Sequence, residues 1–173
     1  MPDPHPDLRP DCGRCAALCC VALDLIKSNR FAIDKPAGTP CPNLARNGLC
    51  AIHESLDDKG FSGCSAYDCL GAGQRVVQDI FDGKSWRDRP ELLPDMMEAF
   101  ALMRPIHQAL ELLVAATALP MTPEQASTRH ALLTALAPED EWNMETLRAA
   151  APDLRAVKPF LRSLQNVAKS PQG

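Results

Sequence analysis

Eight cysteines, Cys12, Cys15, Cys19, Cys20, Cys41, Cys50, Cys64 and Cys69, all lie in the front part of a 173-residue chain, and none follows. A thiolate can act as a nucleophile, a redox partner or a soft metal ligand. The spacing favours the last. Cys12-x2-Cys15-x3-Cys19-Cys20 puts two sulfurs one turn apart, close enough to grip one ion. On a helix, Cys12, Cys15 and Cys19 follow i, i+3, i+7 along one stripe. Cys20 then points about 100° away from Cys19 around the axis. Adjacent cysteines therefore fit one ion poorly. They suit two sites, two irons of one cluster, or one ligand beside a packed thiol. The later four complete the thiolate count that a tetrahedral ion or an iron–sulfur cluster takes.

Two other uses of the thiols compete with metal binding. A disulfide-stabilised interaction module needs an oxidising compartment. The N-terminus, MPDPHPDLRP, has neither the basic stretch nor the apolar stretch of a secretory leader, so a cytoplasmic, reducing setting is expected. A dithiol redox pair at Cys12 and Cys15 is weakened because no βαβ pattern surrounds it. The longest apolar run, near Leu112–Met121, is too short to span a bilayer, so no membrane is expected. Net charge is −4, with 18 Lys+Arg against 22 Asp+Glu, and neither half of the chain is basic. Aromatics are only 5% of residues. Both facts argue against nucleic acid as a partner.

Cys12-Gly-Arg-Cys15-Ala-Ala-Leu-Cys19-Cys20, Cys41-Pro-Asn-Leu44, Asn47-Gly48-Leu49-Cys50-Ala-Ile-His53 and Gly63-Cys64 together resemble the YkgJ-like cysteine-cluster family. That family is described as a zinc- or iron-chelating domain with about eight cysteines. Pro36–Leu44 and Ala66–Val76 are also similar to the cysteine-rich front section of some bacterial pentapeptide-repeat proteins, although no pentapeptide repeats occur here. The resemblance covers roughly residues 11–80. It implies metal binding by the eight cysteines, with zinc, iron or an iron–sulfur cluster as cofactor, and supplies no reaction.

Other polar residues have plainer readings. His53, three residues after Cys50, is a ninth ligand or, more simply, a half-exposed histidine. Asp68 reads as a cap or surface residue, and His5 as a surface histidine on a Pro-rich arm. His107, just after Pro105 on an apolar helix, reads as a satisfied core histidine, and His130 lies far from the cysteines in sequence. Gly71-Ala72-Gly73-Gln74 lacks the full phosphate-loop pattern and reads as a tight helix entry. Met96, Met97, Phe100 and Met103 form a core stripe, and Arg87-Asp88-Arg89 a solvated surface. No catalytic triad or HExxH motif stands out.

These residues need elements to position them. Residues 1–11 read as a loose arm, 12–83 as a cysteine-rich metal-binding module, and 84–173 as a helical region packed with it into one unit. Asp11 is expected to cap a helix bearing Leu18, Val21, Ala22 and Leu25 and fading near Ser28–Arg30. Residues 34–64 are rich in Pro and Gly, so the segment needs a staple, with a turn at Asn47-Gly48. Helix is expected again from about Tyr67, with Val76, Val77, Ile80 and Phe81 buried and Gly83 as its stop. A long helix over Pro90–Leu119 should kink or split at Pro105. Thr122-Pro123-Glu124-Gln125 is a helix start with a capping box. Two more helices are expected around Met144–Ala151 and Pro152–Val167, then a frayed tail over Lys169–Gly173. The fold class is thus mainly α, an irregular metal-stapled module packed on a C-terminal helical bundle. Its expected function is metal binding, with a structural role or a protein partner met through the helices. The alternative is a metal-dependent or iron–sulfur enzyme working through the Gly71–Gly73 cleft. Losing Cys15 or Cys41 is expected to melt the first 70 residues and spare the helices from Pro90 onward.

Overall fold

The computed structural model describes residues 6–139 and 141–167. His5 and the tail over Lys169–Gly173 lie outside the described residues. The fold is mainly α, and the described residues hold only two isolated β-bridges, Leu25 with Lys35 and Leu44 with Cys50. The helices are α1 (Leu18–Ala22), α2 (Ser62–Ser65), α3 (Ala72–Arg75), α4 (Leu93–Ala115), α5 (Pro123–Leu136), α6 (Met144–Ala149) and α7 (Ala151–Val167).

Helix α4 is the axis of the molecule. It packs on α1 and α3 at the front and on α5, α6 and α7 behind. Met96, Ala99, Phe100, Met103, Ile106, Leu110 and Leu113 give it a continuous buried stripe, as the 3.6-residue period requires. Against this stripe lie Leu18 and Val21 of α1, Ala72 of α3, Val76 and Val77 of the π-helical turn that follows α3, and Leu133, Leu147, Val157 and Phe160 from the rear helices. A single main core therefore joins the cysteine-bearing front to the helical rear.

Where the signals are local, the elements follow them. Thr122 caps α5, accepting from the Gln125 N–H while the Gln125 side chain accepts from the Thr122 N–H, and Pro123 stands in the first turn. Gly83, at φ 74°, ends the turn after α3, its N–H donating to the Val77 carbonyl at 2.8 Å. Gly48, at φ 87°, closes the tight turn that pairs Leu44 with Cys50.

The helix expected from about Tyr67 begins only at Ala72, and Ile80 and Phe81 are half-buried rather than buried. Two larger expectations also fail. Pro105 neither splits nor ends α4, which runs unbroken from Leu93 to Ala115. The carbonyl it deprives of a helical donor belongs to Ala101, an exposed residue, where water can replace the lost N–H. The first helix, in contrast, is only five residues long. Ala16 and Ala17 both adopt left-handed conformations, at φ 49° and 55°, so residues 12–17 form turns and the expected stripe of Cys12, Cys15 and Cys19 on one helix does not exist. Left-handed backbone costs an alanine about 1–2 kcal/mol. The turn is held from outside, because the Trp86 indole N–H donates to the Ala16 carbonyl at 2.7 Å. Leu25 sits outside any helix, bridged to Lys35.

Residues 34–61 are irregular, as expected, apart from a 3-10 turn over His53–Ser55, whereas Ser62–Ser65 form α2; together with residues 23–33, also irregular, the segment does own some interior. Leu25, Leu56 and Phe61 form a small second core with Phe31, Ile33 and Ile52 packed against it.

Candidate metal centre

All eight cysteines line one cavity of about 1470 Å³ on the front of the molecule. None is in a disulfide; Cys15 is buried, Cys12 exposed, and the other six are half-buried. Five separate stretches of chain deliver them, the first of which, residues 12–20, comprises a set of turns and helix α1. The turns of residues 12–17 carry Cys12 and Cys15, the latter's thiol 3.5 Å from the Cys12 carbonyl. Helix α1 carries Cys19 and Cys20, with sulfurs 4.0 Å apart. Cys41 is docked by its N–H donating to the Cys20 carbonyl at 2.9 Å. Cys50 ends the Gly48 turn, and Cys64 sits on α2. Cys69 precedes α3, its carbonyl accepting from the Ala72 N–H at 2.9 Å.

Packing divides the wall. Cys19 and Cys69 lie against the main core, whereas Cys50 and Cys64 lie against the second. Gly73 marks a close approach on the main-core side. A Cβ there would stand 3.0 Å from the Cβ of Cys15 and 3.7 Å from the Phe100 ring. Gly73 in the Gly71–Gly73 helix entry thus leaves the space in which Cys15 packs, while Gly71 lies against the Asp7 and Arg9 carbonyls. Gln74 beside it ties down the arm, donating to the Arg9 carbonyl at 3.0 Å and accepting from the Asp11 N–H.

Lys35 carries no local mark in the sequence, yet it is the most informative side chain in the site. It is 4% exposed and lines the cavity. Its ammonium donates to the carbonyls of Thr39 at 2.9 Å, Pro36 at 3.2 Å and Val21 at 3.4 Å, and to that of Leu23. It therefore clasps the end of α1 to the loop that delivers Cys41. Burial lowers the pKa of the amine, opposed by the neighbouring thiols of Cys41, Cys20 and Cys19 and by Asp24. A second cation stands behind the wall, with the Arg104 guanidinium 5.6 Å from the ring of cavity-lining Tyr67.

Cys12, Cys15, Cys19 and Cys64 are held as poor acids in this setting. Burial, with Cys19 beside it, raises Cys15 to about 12. Burial, with Cys19, Cys41 and Cys50 nearby, raises Cys64 to about 11. Cys19 is raised by its contact with the Cys20 thiol and by burial, and Cys12 by burial and by Cys19 and Cys69. A bound cation reverses this balance, since positive charge favours thiolate.

The donor set suits a thiophilic metal: many free thiols, gathered around one space, with softness that selects zinc or iron over magnesium or calcium. The sulfurs rim the space and do not meet at a point. Among the described residues, no three His, Cys, Asp or Glu side chains stand close enough together to hold an ion. Of the other candidates, His53 is exposed on the cavity wall, and Asp68, also on the wall, accepts from the Leu70 N–H at 2.6 Å as a turn cap. His107 is a core histidine, 3% exposed, with Nδ1 donating to the Leu70 carbonyl at 2.5 Å. No helix among the described residues is long and apolar enough to cross a membrane.

No family model matches the chain, and no solved structure matches it. Over 106 residues it is 52% identical to a Bacillus subtilis protein described as uncharacterized protein YybG. That match takes in 61% of this chain and 38% of the relative, so the chain spans well under half the length of the curated protein it resembles.

Proposed function

We propose that this is a metal-binding cysteine-cluster protein, holding zinc or iron, the latter as ions or as an iron–sulfur centre, through Cys12, Cys15, Cys19, Cys20, Cys41, Cys50, Cys64 and Cys69. One observation carries the reading: five separate stretches of chain bring all eight thiols to the wall of a single cavity. The resemblance of the cysteine pattern to the YkgJ-like family supports it. The cytoplasm, where thiols stay reduced, is the compartment this chemistry needs. Bound metal would supply charge that holds the sulfurs as thiolates and free energy that fixes residues 23–65. The role of the centre in this reading is structural, with the helical rear as the face available to a protein partner.

The chain's own residues do the rest. Lys35 fixes the distance between α1 and the Cys41 loop and places one positive charge beside the thiolates. Tyr67, Phe31 and Phe61 keep part of the wall apolar and limit water. The test is anaerobic purification followed by elemental analysis of zinc, iron and acid-labile sulfide. Stoichiometric zinc in a colourless protein, or iron with sulfide in a brown one, is the expected result. A well-folded, oxygen-protected sample with no stoichiometric transition metal overturns the reading.

A further inference from the structure

Helix α4 buries one stripe and leaves the opposite one to solvent. Ala101, Pro105, Gln108, Leu112 and Ala115 recur at alternating steps of four and three, which puts them on one face, roughly opposite Met103 and Leu110. Pro105 is half-buried and the other four are exposed, Leu112 at 51%. Leu119, 48% exposed, stands just past the end of the helix. A solvated helix face ordinarily carries charge. This one carries none. Beyond Glu98, the only Asp, Glu, Lys or Arg on α4 are Arg104 and Glu111, one heptad apart on one flank of the seam. Steps of four and three are the spacing by which two helices pack at a crossing angle of about 20°.

Several polar groups on this face and its flank are left without partners among the described residues. Pro105 deprives the Ala101 carbonyl of its helical donor. The side-chain amide of Gln108 makes no hydrogen bond. The Arg104 guanidinium lies over the rings of Tyr67 and Phe100, at 5.6 and 5.8 Å, yet its Nε is buried without an acceptor and it meets no carboxylate. Glu111 meets no cation.

We propose that this face of α4 docks a second copy of the chain, the two α4 helices running antiparallel about a two-fold axis near Ile106 and His107. An isologous interface requires a self-complementary patch, and this register makes the patch so. It sets Gln108 of each copy against Pro105 of the other, within reach of the freed Ala101 carbonyl, which water serves in the lone chain. It packs Leu112 on Ala101, and it lays Arg104 along Glu111 twice. Sliding the pair by one heptad instead brings Glu111 against Glu111. A parallel pair sets Gln108 against Gln108 and matches no opposite charges. Like charges and unmatched polar groups cost affinity, so both alternatives are disfavoured. The seam is short, so the dimer is a weak, concentration-dependent one. The proposal does not rest on the metal-binding reading.

The test is sedimentation velocity of the full chain, purified anaerobically and kept with reductant so that no intermolecular disulfide contributes, over a wide range of protein concentration. A monomer–dimer equilibrium is expected. Leu112→Glu places a charge in the seam and should weaken the dimer about tenfold, with the unfolding midpoint unchanged because the residue is exposed. Glu111→Arg should weaken it about as much, by setting like charges beside Arg104. Monomer at every concentration overturns the proposal, as does assembly beyond the dimer. A dimer indifferent to Leu112→Glu places the contact elsewhere and overturns it too. A dimer weakened by Leu112→Glu but not by Glu111→Arg overturns the antiparallel register. A chain that stays monomeric and takes up an unrelated helical partner on this face overturns the choice of occupant. Metal analysis of the same samples is separate: a metal-free dimer sinks the metal-binding reading alone, and a metal-loaded monomer sinks this one alone.

Discussion

Lys35 is a buried ammonium that donates to backbone carbonyls rather than to a carboxylate. Replacing it with methionine removes donors from several half-buried carbonyls at once, which costs about 1–3 kcal/mol. Urea denaturation of the metal-free Lys35→Met variant should show that loss. An unchanged midpoint would show that the clasp contributes nothing to the fold. The titratable groups set a second expectation for the metal-free chain. His107 is held below its ordinary 6.5 by burial, so the fold favours its neutral form. Its contribution is complete above pH 6.5 and is lost as pH falls below it. Cys15 and Cys64 are raised above their ordinary 9.0, so their contribution is complete below pH 9 and is lost as pH rises beyond it. Stability of the metal-free protein should therefore form a plateau between about pH 6.5 and 9. His107→Gln should flatten the acid edge and leave the alkaline edge in place.

Among the elements, α5 offers the simplest test. Its capping box is complete, and Thr122→Ala should cost about 1 kcal/mol in thermal or urea unfolding. Gly73→Val is the harsher change at the site, because the new Cβ meets Cys15 at 3.0 Å on the face of α3 that abuts α4. Metal content should fall in that variant even though no ligand is altered. These two elements also mark what could be read from the sequence. The α5 start is visible because cap, proline and glutamine act over four consecutive residues. The short α1 is not, because the left-handed Ala16 and Ala17 depend on an indole 70 positions away in the chain. The gathering of eight thiols follows from their chemistry and spacing. Lys35 and the Leu25, Leu56, Phe61 core escape notice because their partners are scattered and share no period.

At the scale of the whole molecule, the shared core changes what loss of a ligand can do. Leu18, Val21, Ala72 and Val76 are buried with α4, so α1 and α3 cannot melt independently of the rear helices. The stretch with least connection to that core is residues 24–65, served by its own small cluster. Removing metal with a chelator, or making Cys41→Ser, should speed amide hydrogen exchange in residues 24–65 and leave α1, α3 and α4 protected. Equal acceleration across α4 would show that the two regions unfold as one. Separate exchange behaviour would give the front segment its own stability, set by metal concentration.

The chain has only two tryptophans, and the fold gives them different posts. Trp86 hydrogen-bonds the peptide between Cys15 and Cys19, while Trp142 is buried in the main core. One indole thus watches the site and the other watches the scaffold. With Trp142 replaced by phenylalanine, emission from Trp86 alone becomes an intrinsic gauge of occupancy, readable in dilute solution without any attached dye.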